Sequence, residues 1–401
     1  MANKNSNIIS SIVFVSTITI VVLSLVSVIF PALILGVLSP HDYEIDPLER
    51  GAYAFWLIGI SIIIFGIGFL FQGLPLILQR FIKSVLNFEV NKLTAFVIVS
   101  ILIFFYVGFS FNELSLNEEE QWRDFVIVKE ALKIWPSGES TEVYVTLQLN
   151  RHVQMFLFYV SESLFGNIKI IPFLSSILLL LATYFITKEI TQKRFAGIIS
   201  MLVLLQSYTF LMYDTVAVYA NFWSLFYILS LYTIYKKWVF SPIFYILSIF
   251  SKAFVLTYFP VSLFFIFRSK LQKKQKILAI ISYFVVIGFT FTIFSLDKSI
   301  YGEVIEIQPS EFLMAFTVWA HQLRFDYLMI FTILPLTVGL FLQSRRGILV
   351  ADSILVLILG ALIAGPIIPL LNNFYFIQPY HFVPMIVFFA IGIGVFFSRR
   401  D

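Results

Sequence analysis

The sequence predicts an all-α, polytopic membrane protein with about twelve membrane segments and one large outer loop that carries an amphipathic helix. Three observations predict it. The 401 residues are 60% hydrophobic and only 12% charged, against about a quarter charged in soluble domains. Mean hydropathy is +0.94, and apolar runs of about 20 residues, the length that crosses a hydrocarbon core of roughly 30 Å, recur from end to end. Lys and Arg are distributed unevenly between alternate connections, as the positive-inside rule requires. A soluble globular enzyme is excluded. The absence of Cys excludes a disulfide framework, a thiolate metal site and a cysteine nucleophile.

The first apolar run, Ile8 to Leu38, follows one basic residue, Lys4, and has no small-residue cleavage signature, so it reads as a retained helix. Further runs fall near 54–78, 93–111, 168–186, 195–212, 216–235, 277–296, 325–342, 349–370 and 382–397. The stretch Trp238 to Phe267 is broken near its middle by Ser251 and Lys252. As one crossing it would put Lys236 and Lys237 opposite the Arg268–Lys276 cluster. Two short helices meeting at Ser251-Lys252 keep both clusters on one side. Of the 27 Lys and Arg residues, 18 then lie inside (Lys4, Arg80, Lys83, Lys92, Lys188, Lys193, Arg194, Lys236, Lys237, Arg268, Lys270, Lys273, Lys274, Lys276, Arg345, Arg346, Arg399, Arg400) and 9 outside. Both termini are expected in the cytoplasm, with the chain in the plasma membrane.

Acidic residues divide the other way. Glu89, Glu189 and Asp401 are inside, Asp352 is within a helix, and the other 19 of the 23 are outside, as are His41, His152, His321 and His381. Because acidic residues contribute little to insertion, the outer face is where polar chemistry is expected. No Asn-x-Ser/Thr sequon, Gly-rich phosphate loop after a strand or His-Glu-x-x-His motif occurs.

The outer segment 113–167 opens with NELSLNEEEQWRDFVIVKEALKIWP. From Glu118 to Trp135 the spacing of Trp122, Phe125, Val128, Leu132 and Trp135 predicts an amphipathic helix lying along the interface. Glu120 and Asp124, four apart, would share a face, suited either to base chemistry or to a divalent cation. The alternative is a solvated helix start, where Glu118, Glu119, Glu120 and Asp124 favour the positive end of the dipole. Arg151 and His152 stand where an apolar helix meets water, suited to a lipid phosphate or to interfacial anchoring. Lys252, between helices too short to span fully, either faces a polar partner or snorkels, since a central cation costs roughly 2.5–3.5 kcal/mol. Asp214 reads as a turn residue or a further candidate. Arg324 and Asp326 read as a local polar pair, His381 opens the last helix, and Asp352 reads as structural.

The order of these features resembles the GT-C superfamily of polytopic glycosyltransferases, in particular its protein-mannosyltransferase and aminoarabinose-transferase branch, over about Leu93 to Arg400. The resemblance rests on EEEQWRDFVIVKEALKIWP in the place of an acidic-pair loop with an interfacial helix, FLFYVSESLFGNIKIIPFLSSILLLLATYFI for the helix ending in Phe-Gly, ILSIFSKAFVLTYFP for the hairpin with a Lys at its bend, and YHFVPMI for an Arg-Tyr-apolar-apolar-Pro motif. Here Glu119-Glu120 stands for Asp-Glu and His381 for Arg. The resemblance implies a membrane catalytic domain over 93–401, preceded by two additional helices in 1–92. It implies inverting transfer of a sugar from a polyprenyl-phosphate or dolichyl-phosphate donor to a glycan, lipid or protein acceptor outside. Glu120, Asp124 or Glu119 would act as base, and Arg151, His152, Lys252 and His381 would hold the donor phosphate, with Asp214 and Arg324 as further candidates. Mg²⁺ or Mn²⁺ on Glu120 and Asp124 is an option, membrane lipids are partners and nucleic acid is not. A secondary transporter would want ionisable groups near mid-membrane and repeated halves, whereas only Asp352 and Lys252 fall within apolar stretches. An accessory subunit of a membrane complex is the third reading.

Overall fold

The computed structural model describes residues 4–31, 50–116, 118–135, 151–296, 309–368 and 379–398. His41, Lys298, Arg399 and Arg400, the end of the first apolar run, and the middle of the outer segment lie outside the described residues. The described regular structure is helical throughout. In chain order it comprises α1 (Lys4–Ile29), α2 (Ala54–Phe69), α3 (Leu76–Asn87), α4 (Lys92–Ser110), α5 (Arg123–Ile134), α6 (His152–Phe165), α7 (Ile170–Thr191), α8 (Arg194–Leu205), α9 (Tyr208–Met212), α10 (Phe222–Lys236), α11 (Ser241–Ser251), α12 (Phe259–Arg268), α13 (Lys273–Leu296), α14 (Pro309–His321), α15 (Tyr327–Arg345), α16 (Val350–Ile367) and α17 (Val383–Val395).

Among the described residues six helices are long and apolar enough to cross a membrane: Asn7–Ile29, Lys92–Ser115, Ile170–Thr191, Lys273–Ile293, Tyr327–Arg345 and Val350–Ile367. Ala54–Phe69, Arg194–Leu205, Trp238–Ser251, Ala253–Arg268 and Pro379–Val395 are shorter apolar helices. Local chemistry sets several ends. The Asn91 side chain accepts the Thr94 N–H at 2.8 Å and caps α4. Gly166, at φ 62°, terminates α6 in the left-handed conformation that glycine adopts without steric cost.

The chain divides into two compact units, one made of 1–90, 187–209 and 305–401, the other of 91–186 and 210–304. In the first unit, α16 is packed on all sides by α1, α14, α15 and α17. Its Asp352 is buried and accepts the Ser10 hydroxyl at 2.7 Å, as a structural residue would. In the second unit, α10 and α11 form a hairpin, with α13 and α6 against α11. Tyr227, Tyr245, Tyr258 and Tyr283 are fully buried there. The rings of Tyr245 and Tyr283 stack at 4.6 Å. Hydroxyl pairs, Tyr227 with Ser262 at 3.0 Å and Tyr283 with Ser241 at 2.8 Å, satisfy polar tips that burial would otherwise penalise.

The break at Ser251-Lys252 is present: α11 ends at Ser251, Lys252 is extended (φ −163°, ψ 116°), and a 3₁₀ segment, Ala253–Tyr258, leads into α12. The expected helix from Glu118 to Trp135 is shorter. Glu118–Gln121 forms a 3₁₀ turn, Trp122 is extended, and the α-helix begins at Arg123. Glu120 and Asp124 therefore do not share one α-helical face. The apolar stripe points into the protein, where Phe125, Val128 and Ala131 pack with Met155, Phe158 and Phe222.

Candidate functional site

The site is organised by the loop 213–221 between α9 and α10, within the second unit. Three carboxylates of the preceding outer segment meet this loop at alternate positions. The Thr215 hydroxyl donates to Glu113 Oε2 at 3.3 Å. The Ala217 N–H donates to both Glu119 oxygens at 3.1 Å. The Tyr219 hydroxyl donates to Asp124 Oδ2 at 3.1 Å, and its ring lies 5.8 Å from that of Trp122. The loop is bent rather than extended, with the Ala220 N–H donating to the Ala217 carbonyl at 3.1 Å, and it presents two side-chain hydroxyls and one backbone N–H to the acidic stretch.

Glu119 is only 4% exposed. Lys169 Nζ lies 3.5 Å from Oε1 and donates to the Leu116 carbonyl at 2.7 Å, tying both ends of the segment to the start of α7. Burial pushes the Glu119 carboxyl above its ordinary range, and the Lys169 charge and the Ala217 N–H partly offset this. Glu119 is thus committed to holding the segment in place. Glu120 is half exposed, with Lys129 Nζ at 3.3 Å. Asp124 is exposed apart from its Tyr219 contact.

Asp214 is not an ordinary exposed turn residue: it is 1% exposed, and Oδ2 accepts the Ser110 hydroxyl at 3.0 Å. The Ser176 hydroxyl donates to the Asp214 carbonyl at 2.9 Å and accepts from Asn221 Nδ2 at 3.1 Å. Burial raises the Asp214 carboxyl to about 7, and the Glu113 charge adds to the effect.

The cations come from other elements of this unit. Arg151 stands at the N-terminal end of α6 and is half-buried, as are His152 and Lys252. Lys252 Nζ sits 5.7 Å from the centroid of Trp223, a cation–π distance. Tyr219, which holds Asp124, and Trp223, which lies under Lys252, are four residues apart. Asp124 and Lys252 thus meet the same stretch of chain at the start of α10.

Compared with protein-family models, with curated proteins and with solved structures, the chain matches none.

The remaining candidates belong to the first unit. His381 is 3% exposed, its ring 4.0 Å from that of Tyr380 and 6.2 Å from that of Trp319. Arg324 and Asp326 do not pair with each other as the sequence suggested. Arg324 Nη1 donates to the His321 carbonyl at 3.2 Å and its guanidinium lies 4.4 Å over Phe325. Asp326 is buried and accepts the Ser207 and Thr209 hydroxyls at 2.6 and 2.5 Å. The extended turn at Asp326 carries its side chain away from its neighbour toward the break between α8 and α9, whose backbone amides it also meets.

Among the described residues no group of three or more His, Asp or Glu side chains gathers where a metal ion could be held. Glu120 and Asp124 would be two ligands only, and each has its own partner. Sequence reasoning passed over Lys169, Tyr219 and Trp223. Lys169 carried a signal: a lone cation at the start of an apolar helix asks for a partner. Tyr219 and Trp223 carried none, since aromatics are abundant throughout the chain.

Proposed function

We propose that this chain is a multi-pass membrane glycosyltransferase of the GT-C type, which transfers a sugar from a polyprenyl-phosphate donor to an acceptor hydroxyl at the outer face. The observation that carries this reading is the single stretch 215–223, which meets the acidic outer segment through Thr215, Ala217 and Tyr219 and lies under Lys252 through Trp223. Carboxylates that can take a proton and a cation that can hold a phosphate, Lys252, thereby share one scaffold. In this reading the chain crosses the plasma membrane about twelve times with both termini in the cytoplasm, and α5 lies near the outer interface.

With Glu119 occupied by Lys169 and Ala217, the base is Asp124 or Glu120. It takes the proton of the acceptor hydroxyl as the acceptor oxygen bonds to the anomeric carbon from the face opposite the donor phosphate. The bond from that carbon to the phosphate oxygen breaks, and the phosphate leaves with the electron pair, so the anomeric centre inverts. A positioned base is worth roughly two to four orders of magnitude in rate. Arg151, His152 and Lys252 stabilise the charge that develops on the leaving phosphate. The acceptor is a glycan, a lipid or a protein.

The test is release of polyprenyl phosphate from lipid-linked hexose donors by the purified chain in lipid nanodiscs. Turnover lost in Asp124→Asn or Glu120→Gln while the fold survives is the expected result. Lys252→Met should weaken donor binding more than it lowers the melting temperature. Full turnover in both carboxylate variants, or unchanged donor affinity in Lys252→Met, overturns the assignment.

A further inference from the structure

Helix α3 (Leu76–Asn87) has no buried residue, yet from its second residue on it is divided into two faces. At 100° per residue, Ile77, Leu78, Phe81, Ile82, Val85 and Leu86 occupy one continuous half, and Gln79, Arg80, Lys83, Ser84 and Asn87 the other, with Leu76 of the first turn on the polar side. The apolar half is open: Ile77 is 82% exposed, Phe81 64%, Leu78 42% and Val85 38%. Such a division, in a helix too short to cross a bilayer, is the signature of a segment that lies in the plane of a membrane surface. The helix carries two cations and no carboxylate.

Lys193 Nζ donates to the Leu86 carbonyl at 3.1 Å. The Arg194 N–H donates to Glu89 Oε1 at 3.1 Å, and the rings of Phe88 and Phe195 meet edge to face at 4.8 Å. Lys193 is buried and Arg194 pairs with Glu89 at 3.6 Å, so Arg80 and Lys83 remain as the exposed, uncompensated cations of this patch. Along the chain, Asn87 is five residues from Lys92, where the apolar helix Lys92–Ser115 begins. Five residues reach at most about 18 Å, so chain connectivity keeps the end of α3 within that distance of the first residue of that helix.

We infer that α3 is an in-plane membrane anchor, with Ile77, Leu78, Phe81 and Val85 inserted at the boundary of the acyl chains and Arg80 and Lys83 against acidic lipid headgroups. A lipid surface is favoured over a protein partner because the exposed apolar face covers half of the helix and the charged side chains on the opposite half are the cations Arg80 and Lys83, which matches an anionic interface. The inference does not depend on the transferase reading.

The chain has no Cys, so single labels can be placed in the full-length protein. An environment-sensitive fluorophore on Phe81→Cys and, separately, on Ser84→Cys is read in nanodiscs of phosphatidylcholine with and without phosphatidylglycerol. The expected result is that nitroxide lipids quench the label at position 81 and iodide does not, while iodide reaches the label at position 84. Removing phosphatidylglycerol, or introducing Arg80→Gln and Lys83→Gln together, should raise iodide access at position 81 about threefold. A label at 81 that iodide reaches in every membrane overturns the anchor, and one shielded from both quenchers points to a protein partner instead. Lipid quenching with no dependence on phosphatidylglycerol or on the two cations overturns the acidic-headgroup assignment.

Discussion

Asp214 offers the sharpest test of how this site is held. The carboxyl is 1% exposed; the Tyr106 hydroxyl, the Ser110 hydroxyl at 3.0 Å and the Thr215 N–H stabilise its charged form, and among the described residues no cation compensates it. Burial raises its proton affinity from 3.8 to about 7. At ~1.4 kcal/mol for each tenfold change, ionising it in the folded protein costs roughly 4 kcal/mol more than ionising it in the unfolded chain. The sign follows from proton counting. Between about pH 4 and 7 the folded state binds the proton that the unfolded state has released, so the contribution of Asp214 to stability is greatest below pH 4 and falls until the folded group ionises near 7. Asp214→Asn removes the titration and retains an oxygen to accept from Ser110. The variant should match the wild type near pH 4 and exceed its stability at pH 8 by a substantial part of that ~4 kcal/mol. The assay is the unfolding midpoint in nanodiscs across this range, comparing the two proteins at each pH. Parallel profiles, or a wild type that gains on the variant as pH rises, would refute the account of Asp214 as a buried, uncompensated carboxyl.

Three other substitutions probe separate parts of the structure. Lys169→Met leaves Glu119 buried without its cation and should cost about 3–5 kcal/mol, whereas adding Glu119→Gln should recover most of the loss, because the amide oxygen still accepts the Ala217 N–H. A double variant as unstable as the single in thermal denaturation would contradict the pairing. Asp326→Ala strips the Ser207 and Thr209 hydroxyls of their acceptor and should cost about 2–4 kcal/mol, with Asp326→Asn losing less, as read from melting temperatures. A Cβ on Gly365 would run into the ring of Trp319, which is 1% exposed and donates to the Ala361 carbonyl at 3.0 Å. Gly365→Ala should therefore lose roughly 1–3 kcal/mol, and Trp319→Leu in the same chain should relieve part of it.

Much of the fold is legible in the amino-acid order, because a membrane segment is written locally. Length and apolar content mark the helices Lys92–Ser115, Ile170–Thr191 and Lys273–Ile293. The single pair Ser251-Lys252 marks the break that separates α11 from the segment leading to α12. The spacing of Phe125 and Val128 correctly marked one side of α5 as apolar, but not what covers it. Burial against α6 and the start of α10, rather than exposure to lipid, depends on partners far along the chain.

The same limit governs the site. Five acidic residues between 113 and 124 look equivalent in the sequence, yet the tertiary structure gives four of them different roles. Glu119 is sealed against Lys169 and the Ala217 amide, Asp124 is held at its edge by Tyr219, Glu120 faces outward with Lys129, and Glu113 takes Thr215. Asp214, which as a turn residue needed no explanation, is the most buried carboxylate of the set. Composition and periodicity report what each residue prefers on average. The proton affinity of a carboxylate depends instead on the water removed from it and the charges left beside it, and residues about 100 positions away decide both.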